Sequence, residues 1–177
     1  QGRGRGTTTY RAHSFRWKVR VQHRKYDDLE KNSLIKGKIV DLVHGKGHFA
    51  PIAVIEYENK EQNYIYAPEN VKVNQEVYSG VKSEIKTGNT LPLKSIPIGT
   101  LVYNIELMPG DGGKLCRAPG MCAKIISNLG NEIVLDLPSK KQKKIHGEAR
   151  ATIGIIAGRG RKDKPWVKAG KRHHAMR

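Results

Sequence analysis

Acidic, aromatic and cysteine residues are all scarce in this 177-residue chain. Sixteen Asp and Glu stand against 33 Lys and Arg, which leaves a formal net charge of +17, and aromatic residues make up only 6%. A protein so basic calls for an anionic partner. No stretch approaches the roughly 18 apolar residues of a membrane span, so no membrane partner is expected. Gln1 to Gly6 is polar and basic where a signal peptide would turn apolar. Two cysteines, Cys116 and Cys122, are too few for a disulfide framework and point to a reducing, cytoplasmic setting. Their separation is longer than a zinc half-site usually has, so both read as small buried hydrophobes and no metal site is expected.

Catalytic signatures are missing as well. There is no G-x-x-x-x-G-K-[ST], H-E-x-x-H or G-x-S-x-G, and the glycine run from Gly158 breaks G-x-G-x-x-G at Asp163. No two carboxylates stand out as an acid–base pair. His173 and His174 are adjacent, which on a strand would send them to opposite faces and spoil joint metal binding. His44 and His48 flank the glycines Gly45 and Gly47 and read as a loop exposed to solvent or RNA. Neither an enzyme nor a small-molecule substrate is expected.

What is present is charge in blocks. Residues 1–25 hold eight basic side chains (Arg3, Arg5, Arg11, Arg16, Lys18, Arg20, Arg24, Lys25) and no acidic one. Residues 158–177 hold eight more (Arg159, Arg161, Lys162, Lys164, Lys168, Lys171, Arg172, Arg177) against the single Asp163. The long middle is nearly neutral, so the chain reads as a body with two basic arms. Like-charge blocks without acids repel themselves until a polyanion neutralises them. Interspersed glycines admit close approach to phosphates, and Tyr10, Phe15, Trp17 and Trp166 offer rings that stack on unpaired bases. Such arms cannot bury enough surface to order alone and are expected to order on RNA.

Between the arms the sequence is a series of short strands. Residues 34–43, 51–57 and 62–67 come first, followed by two short candidates around Val77 and Val81. After the breaker-rich stretch from Gly88 to Gly99 the pattern restarts with Tyr103, Ile105 and Leu107, then residues 121–127. Alternation is clean at Ile133, Leu135 and Leu137, and residues 140–146 and 150–157 close the series. No long helix is expected. The fold class is all-β, with an OB-like barrel (34–88) followed by an SH3-like barrel (89–157) and basic extended arms at residues 1–33 and 158–177. A single β-sandwich across the middle is the alternative, ranked second because the breakers fall almost midway.

Three segments resemble the universal second protein of the large ribosomal subunit, the L2 family. They are Gly4-Arg5-Gly6-Thr7 with Tyr10-Arg11-Ala12, Pro97 to Thr100 running on to the Gly-rich Met108–Ala118 segment, and Arg150-Ala151-Thr152-Ile153-Gly154. A fourth, from Asp163-Lys164-Pro165 to Lys168-Ala169-Gly170 with His173-His174, is similar to the archaeal and eukaryotic branch. The resemblance implies a structural, non-catalytic constituent of the cytoplasmic ribosome, with basic extensions that penetrate large-subunit rRNA near the peptidyl-transferase region. It also implies neighbouring ribosomal proteins as partners, no homo-oligomer, and no cofactor beyond Mg2+ ions that accompany rRNA. In the family an arginine after the Gly-rich loop, in an R-x-x-G context, contacts rRNA; here that is Arg117, followed by Gly120. The chain departs from the pattern before Tyr64, where Gln62 and Asn63 stand instead of a basic residue. Members usually continue past the position of Arg177 into a Gly- and His-rich extension, and no role of that extension is assigned to residues here.

The expected RNA contacts are Arg3, Arg5, Arg11, Arg16, Trp17, Arg20, Arg24 and Lys25 at the N-terminal end, and Lys114, Arg117 and Arg150 in the body. At the C-terminal end they are Arg159, Arg161, Lys164, Trp166, Lys168, Lys171, Arg172, His173, His174 and Arg177. A free-standing OB/SH3-like translation or processing factor is the competing reading. Basic ends on both sides favour the ribosome, because a factor that must dissociate gains little from so many phosphate contacts.

Overall fold

The computed structural model describes residue 17 and residues 19–176. Arg3, Arg5, Arg11, Arg16 and Arg177 lie outside the described residues. Among the described residues ten strands form one continuous hydrogen-bonded sheet: β1 (Ile35–Val43), β2 (Ile52–Tyr57), β3 (Gln62–Tyr66), β4 (Glu76–Ser79), β5 (Thr90–Pro92), β6 (Leu101–Tyr103), β7 (Ala123–Asn128), β8 (Glu132–Asp136), β9 (Gln142–His146) and β10 (Arg150–Ile153). Their order is β3-β2-β1-β4-β5-β10-β6-β7-β8-β9.

Two lobes share this sheet, each with its own core. Strands β1–β4 enclose Ile35, Ile39, Ile55, Ile65 and Val77, residues that alternate with exposed neighbours on β1. A register shift between Ile39 and Asp41, where β1 runs against β2, lets the long first strand bend and serve both β2 and β4. Strands β5–β10 enclose Leu91, Val102, Ile125, Ile133 and Leu135. A third cluster joins the lobes: Val21, Ala50, Ile52, Tyr66, Tyr103 and Ile156. There the Tyr103 hydroxyl donates to Tyr66 O at 2.9 Å, which satisfies the one polar atom of a fully buried ring.

Several expectations change. The breaker-rich junction contains β5, whose three residues pair with β10 through Arg150–Pro92, Ala151–Leu91 and Thr152–Thr90. Val81 is not on a strand; its N–H donates to Glu30 O at 3.0 Å in a turn. The largest revision concerns the N-terminal arm drawn to residue 33, because residues 19–33 belong to the body. Val21, His23, Arg24 and Glu30 are buried, and α1 (Asp28–Asn32) is capped by Asp27, whose Oδ1 accepts from Glu30 N at 3.1 Å. At the other end, the side chains described between residues 158 and 176 are exposed, yet the segment contains a 3-10 turn (Arg159–Asp163) and α2 (Ala169–Ala175).

Candidate nucleic-acid interface

The N-terminal segment runs along the seam between the lobes. Gln22 N donates to Tyr64 O of β3 at 3.1 Å, and His23 N to Gly112 O of the Gly-rich loop at 2.9 Å, so consecutive residues fasten opposite lobes. Arg117 works from the other side. Its Nη2 donates to Val21 O at 2.6 Å, its Nη1 to Gly113 O at 3.1 Å, and its guanidinium lies over the Tyr66 ring, 5.1 Å from the centroid.

A cavity of about 250 Å3 opens beside this seam, with Trp17, Arg20, His48, Lys114 and Arg117 on its wall. Trp17 lies against Gly47, where a Cβ would fall 2.1 Å from its indole nitrogen, so only glycine admits the ring. The indole also meets the His48 ring at 5.2 Å between centroids, and His48 Nδ1 shares a 3.0 Å hydrogen bond with the Tyr66 hydroxyl. Burial, with the nearby Arg117 charge adding to it, lowers the His48 pKa, which keeps the ring neutral at neutral pH. One buried nitrogen of the wall, Arg117 Nε, has no hydrogen-bond partner among the described residues, whereas the His48 ring is also held by the backbone of Val19. An unsatisfied buried polar atom is costly, and a water or ligand atom at this point would relieve it.

The Gly-rich loop itself is closed to anions. Glu106 accepts from Gly110 N and Gly112 N at 3.1 and 3.0 Å, and Asp111 Oδ1 accepts from Gly113 N at 3.1 Å. Burial works against ionising both carboxyls. For Glu106 the Arg150 hydrogen bond prevails, and for Asp111 the backbone N–H groups do, so both pKa values end lower than usual. The loop's donors are therefore spent on its own acids, and its role is to hold Arg117.

Two expected RNA contacts are corrected by burial. Arg24 is 4% exposed and pairs with Asp27 at 2.6 Å, Glu61 at 3.2 Å and Glu30 at 3.3 Å. Arg150 is 1% exposed: Nη1 donates to Glu30 Oε2 at 2.5 Å and to Arg24 O at 2.9 Å, while Nη2 donates to Glu106 Oε1 at 2.7 Å. These arginines tie the seam together from inside and have no surface to offer a phosphate.

Apart from the half-buried Arg117, the other expected contacts among the described residues are exposed. Arg20 and Lys114 rim the cavity, with Lys114 only 3.3 Å from Asp111, and Lys25 faces solvent nearby in sequence. In the C-terminal segment Arg161, Lys164, Trp166 and Lys171 line a second, larger groove of about 790 Å3 with Ala118 and Pro119. Arg161 also stacks over the exposed Phe49 ring. Arg159 packs its backbone against Gly120. Lys168 stands at the N-cap position of α2 without a capping side-chain bond, and Arg172, His173 and His174 occupy its last turn; the segment is helical, so the strand argument about the two histidines does not apply. No cluster of three or more metal-ligating side chains occurs among the described residues. Cys116 and Cys122 are half-buried free thiols, and burial pushes the Cys116 thiol up to about 12.

Comparison with known proteins decides the family. The model of "Ribosomal Proteins L2, RNA binding N-terminal domain" matches residues 1–79, and that of "Ribosomal Proteins L2, C-terminal domain" matches residues 86–177. The chain belongs to the ribosomal protein L2 family. Large ribosomal subunit protein uL2 of Methanothermobacter thermautotrophicus is 49% identical over the whole chain, which covers 73% of that protein. The uL2 proteins of Methanocaldococcus jannaschii and Methanosphaera stadtmanae are 49% and 44% identical, each again over all of this chain and 73% of its own length. The L2 chain is thus of archaeal type, and its lobes are the OB-like and SH3-like barrels of the family's two domains. Sequence reasoning passed over His48, which it left on an exposed loop. The signal was available in the Gly-x-Gly-His spacing, but the Trp17 that covers it is 31 residues away.

Proposed function

We propose that this chain is a structural constituent of the large ribosomal subunit in the cytoplasm. It binds and stabilises large-subunit rRNA near the peptidyl-transferase region, as a single copy among neighbouring ribosomal proteins and without catalysing a reaction. The observation that carries this reading is the seam cavity, in a chain whose full length matches the L2 domains. There an exposed indole and the cations Arg20 and Lys114 share a wall with the buried, unpartnered Nε of Arg117. Trp17 offers a stacking face for a base, Arg20 and Lys114 offer charges for phosphates, and Arg117 Nε offers a donor to an atom that enters the cavity. The groove at Trp166 repeats the same combination of ring and cations on the C-terminal segment. Mg2+ ions would arrive with the rRNA.

Cosedimentation tests the reading. Tagged chain expressed in an archaeal host should travel with large subunits after a high-salt wash, and purified chain should bind large-subunit rRNA with an affinity that falls steeply as salt rises. Recovery in the unbound fraction after the wash, with no preference for large-subunit rRNA, would make it a free-standing RNA-binding factor.

A further inference from the structure

The β8–β9 hairpin carries a concentration of charge that neither basic end nor the seam includes. Residues 137–147 contain no acid and four lysines, Lys140, Lys141, Lys143 and Lys144, all exposed. Some surface lysines of the body are matched, as Lys36 is with Glu76 at 2.6 Å and Lys94 with Glu148 at 2.6 Å, and the exposed lysines without such a pair, Lys38, Lys46, Lys60 and Lys124 among them, stand singly and not in a run. On the hairpin only Lys144 has a carboxylate partner among the described residues, Glu132 at 3.6 Å, and both members of that pair are exposed.

The turn adds a second observation. Leu137 N donates to Lys141 O at 3.1 Å and Lys140 N to Leu137 O at 2.8 Å, so Pro138-Ser139-Lys140 forms a three-residue loop ending in a left-handed residue, Lys140 at φ 60°. The preceding β7–β8 hairpin uses Gly130, φ 86°, in its loop. Glycine takes this conformation freely and lysine does so against strain; the β2–β3 turn ends in Lys60 at φ 62° in the same way, but among acids, so what sets the β8–β9 tip apart is the run of lysines that follows it. Because β9 ends the sheet, lysines along it also discourage pairing with another copy. That role needs charge on the strand; it does not need a lysine in a strained turn beyond the ladder.

We propose that the β8–β9 hairpin is a separate phosphate-binding site that grips the backbone of large-subunit rRNA. Lys143 stands opposite Leu135 and Lys144 opposite Val134, so successive lysines leave opposite faces of the strand. The hairpin presents charge to both sides and reads no base, a contact that positions without specifying sequence. This site rests on the rRNA-binding reading above but uses none of its residues.

The test is the full chain with Lys140, Lys141, Lys143 and Lys144 all changed to Gln, with rRNA affinity measured across a salt series. Each phosphate contact contributes about 0.7 to 0.9 to the log-log slope, so three or four contacts should flatten it by roughly 2 to 3.6. The same four positions changed to Arg should keep the parent slope, and both variants should melt with the parent. If the parent itself shows no salt-dependent rRNA binding, the rRNA reading fails and takes the hairpin with it. If the parent is steep and the Gln variant equally steep, the hairpin site alone is overturned. That holds whether the variant self-associates in sedimentation velocity, as edge protection would require, or loses affinity for an acidic protein surface.

Discussion

Truncating Arg150 to alanine would leave two carboxylates, Glu30 and Glu106, each with no solvent exposure, without the guanidinium that bridges them. Removing one partner of a buried ion pair costs about 3 to 5 kcal/mol, most of it from the charge left behind. Two carboxylates are exposed to that penalty here, but neither is abandoned. Glu106 keeps the N–H groups of Gly110, Gly112 and residue 150 at 3.1, 3.0 and 2.9 Å. Glu30 keeps Ser79 Oγ at 2.7 Å and Arg24 Nη1 at 3.3 Å. The expected loss is therefore that of one broken pair, about 3 to 5 kcal/mol. At about 2 to 4 °C per kcal/mol for a chain of this size, Tm should fall by about 6 to 20 °C. Arg150→Lys keeps the charge but not the fork and should fall between. Arg150→Met combined with Glu30→Gln and Glu106→Gln should recover much of the loss, because no buried charge is then left alone. Thermal unfolding followed by circular dichroism gives the stability, and rRNA affinity is read at a temperature where each variant is folded. A Tm within about 2 °C of the parent, together with a tenfold loss of rRNA affinity, would refute the argument and make Arg150 the RNA contact its sequence context suggests.

Three other perturbations test the seam. His23 is 3% exposed, and burial, with Arg150 adding to it, lowers its pKa to about 4; its neutral form contributes stability that is fully present above about pH 6.5 and lost as pH falls toward 4. The Tm should therefore drop on acidification by the equivalent of about 3 kcal/mol, and His23→Gln should flatten that limb. Arg117→Ala removes bonds to Val21 O and Gly113 O as well as a cation from the cavity, so it should lower stability by about 1.5 to 3 kcal/mol in denaturant unfolding while weakening rRNA binding. Loss of binding with unchanged stability would mean that the guanidinium points to RNA and not to the seam. Gly120, at φ 69°, would place a Cβ 2.6 Å from Arg159 Cα; Gly120→Ala should cost about 1 to 2 kcal/mol and displace the C-terminal segment, read as faster tryptic cleavage at Arg159 and Arg161.

Strands whose stability is local were legible in the sequence. The alternation of Ile133 and Leu135 with Glu132, Val134 and Asp136 places β8 correctly because two buried side chains separated by solvent-facing ones admit only one orientation on a sheet face. Strand β5 was not legible. Its three residues, close after Gly88 and ending in Pro92, carry no pattern, and they become a strand because β10, some sixty positions later, supplies hydrogen bonds along their whole length. The same limit applies to the arginines. Arg150 and Glu106 are 44 positions apart and Arg150 and Glu30 are 120 apart, with no spacing rule to connect them. Read in line, Arg24 stands among basic neighbours and is indistinguishable from Arg20, yet one is buried on three carboxylates and the other rims a cavity.

That sorting changes what the segment charges mean. Eight cations in residues 1–25 overstate what the N-terminal end offers a polyanion, since the Arg24 charge is consumed by Asp27, Glu30 and Glu61 from beyond the segment. The near-neutral middle understates its own contribution for the complementary reason. Its acids Glu30 and Glu106 are buried on arginines and cancel nothing at the surface, while Lys140, Lys141 and Lys143 remain outside with no ion-pair partner among the described residues. Electrostatic attraction to rRNA depends on charge that solvent and phosphate can reach. By that measure basic surface on this fold extends onto the body, at the seam and at the β8–β9 tip, instead of ending where the arms end.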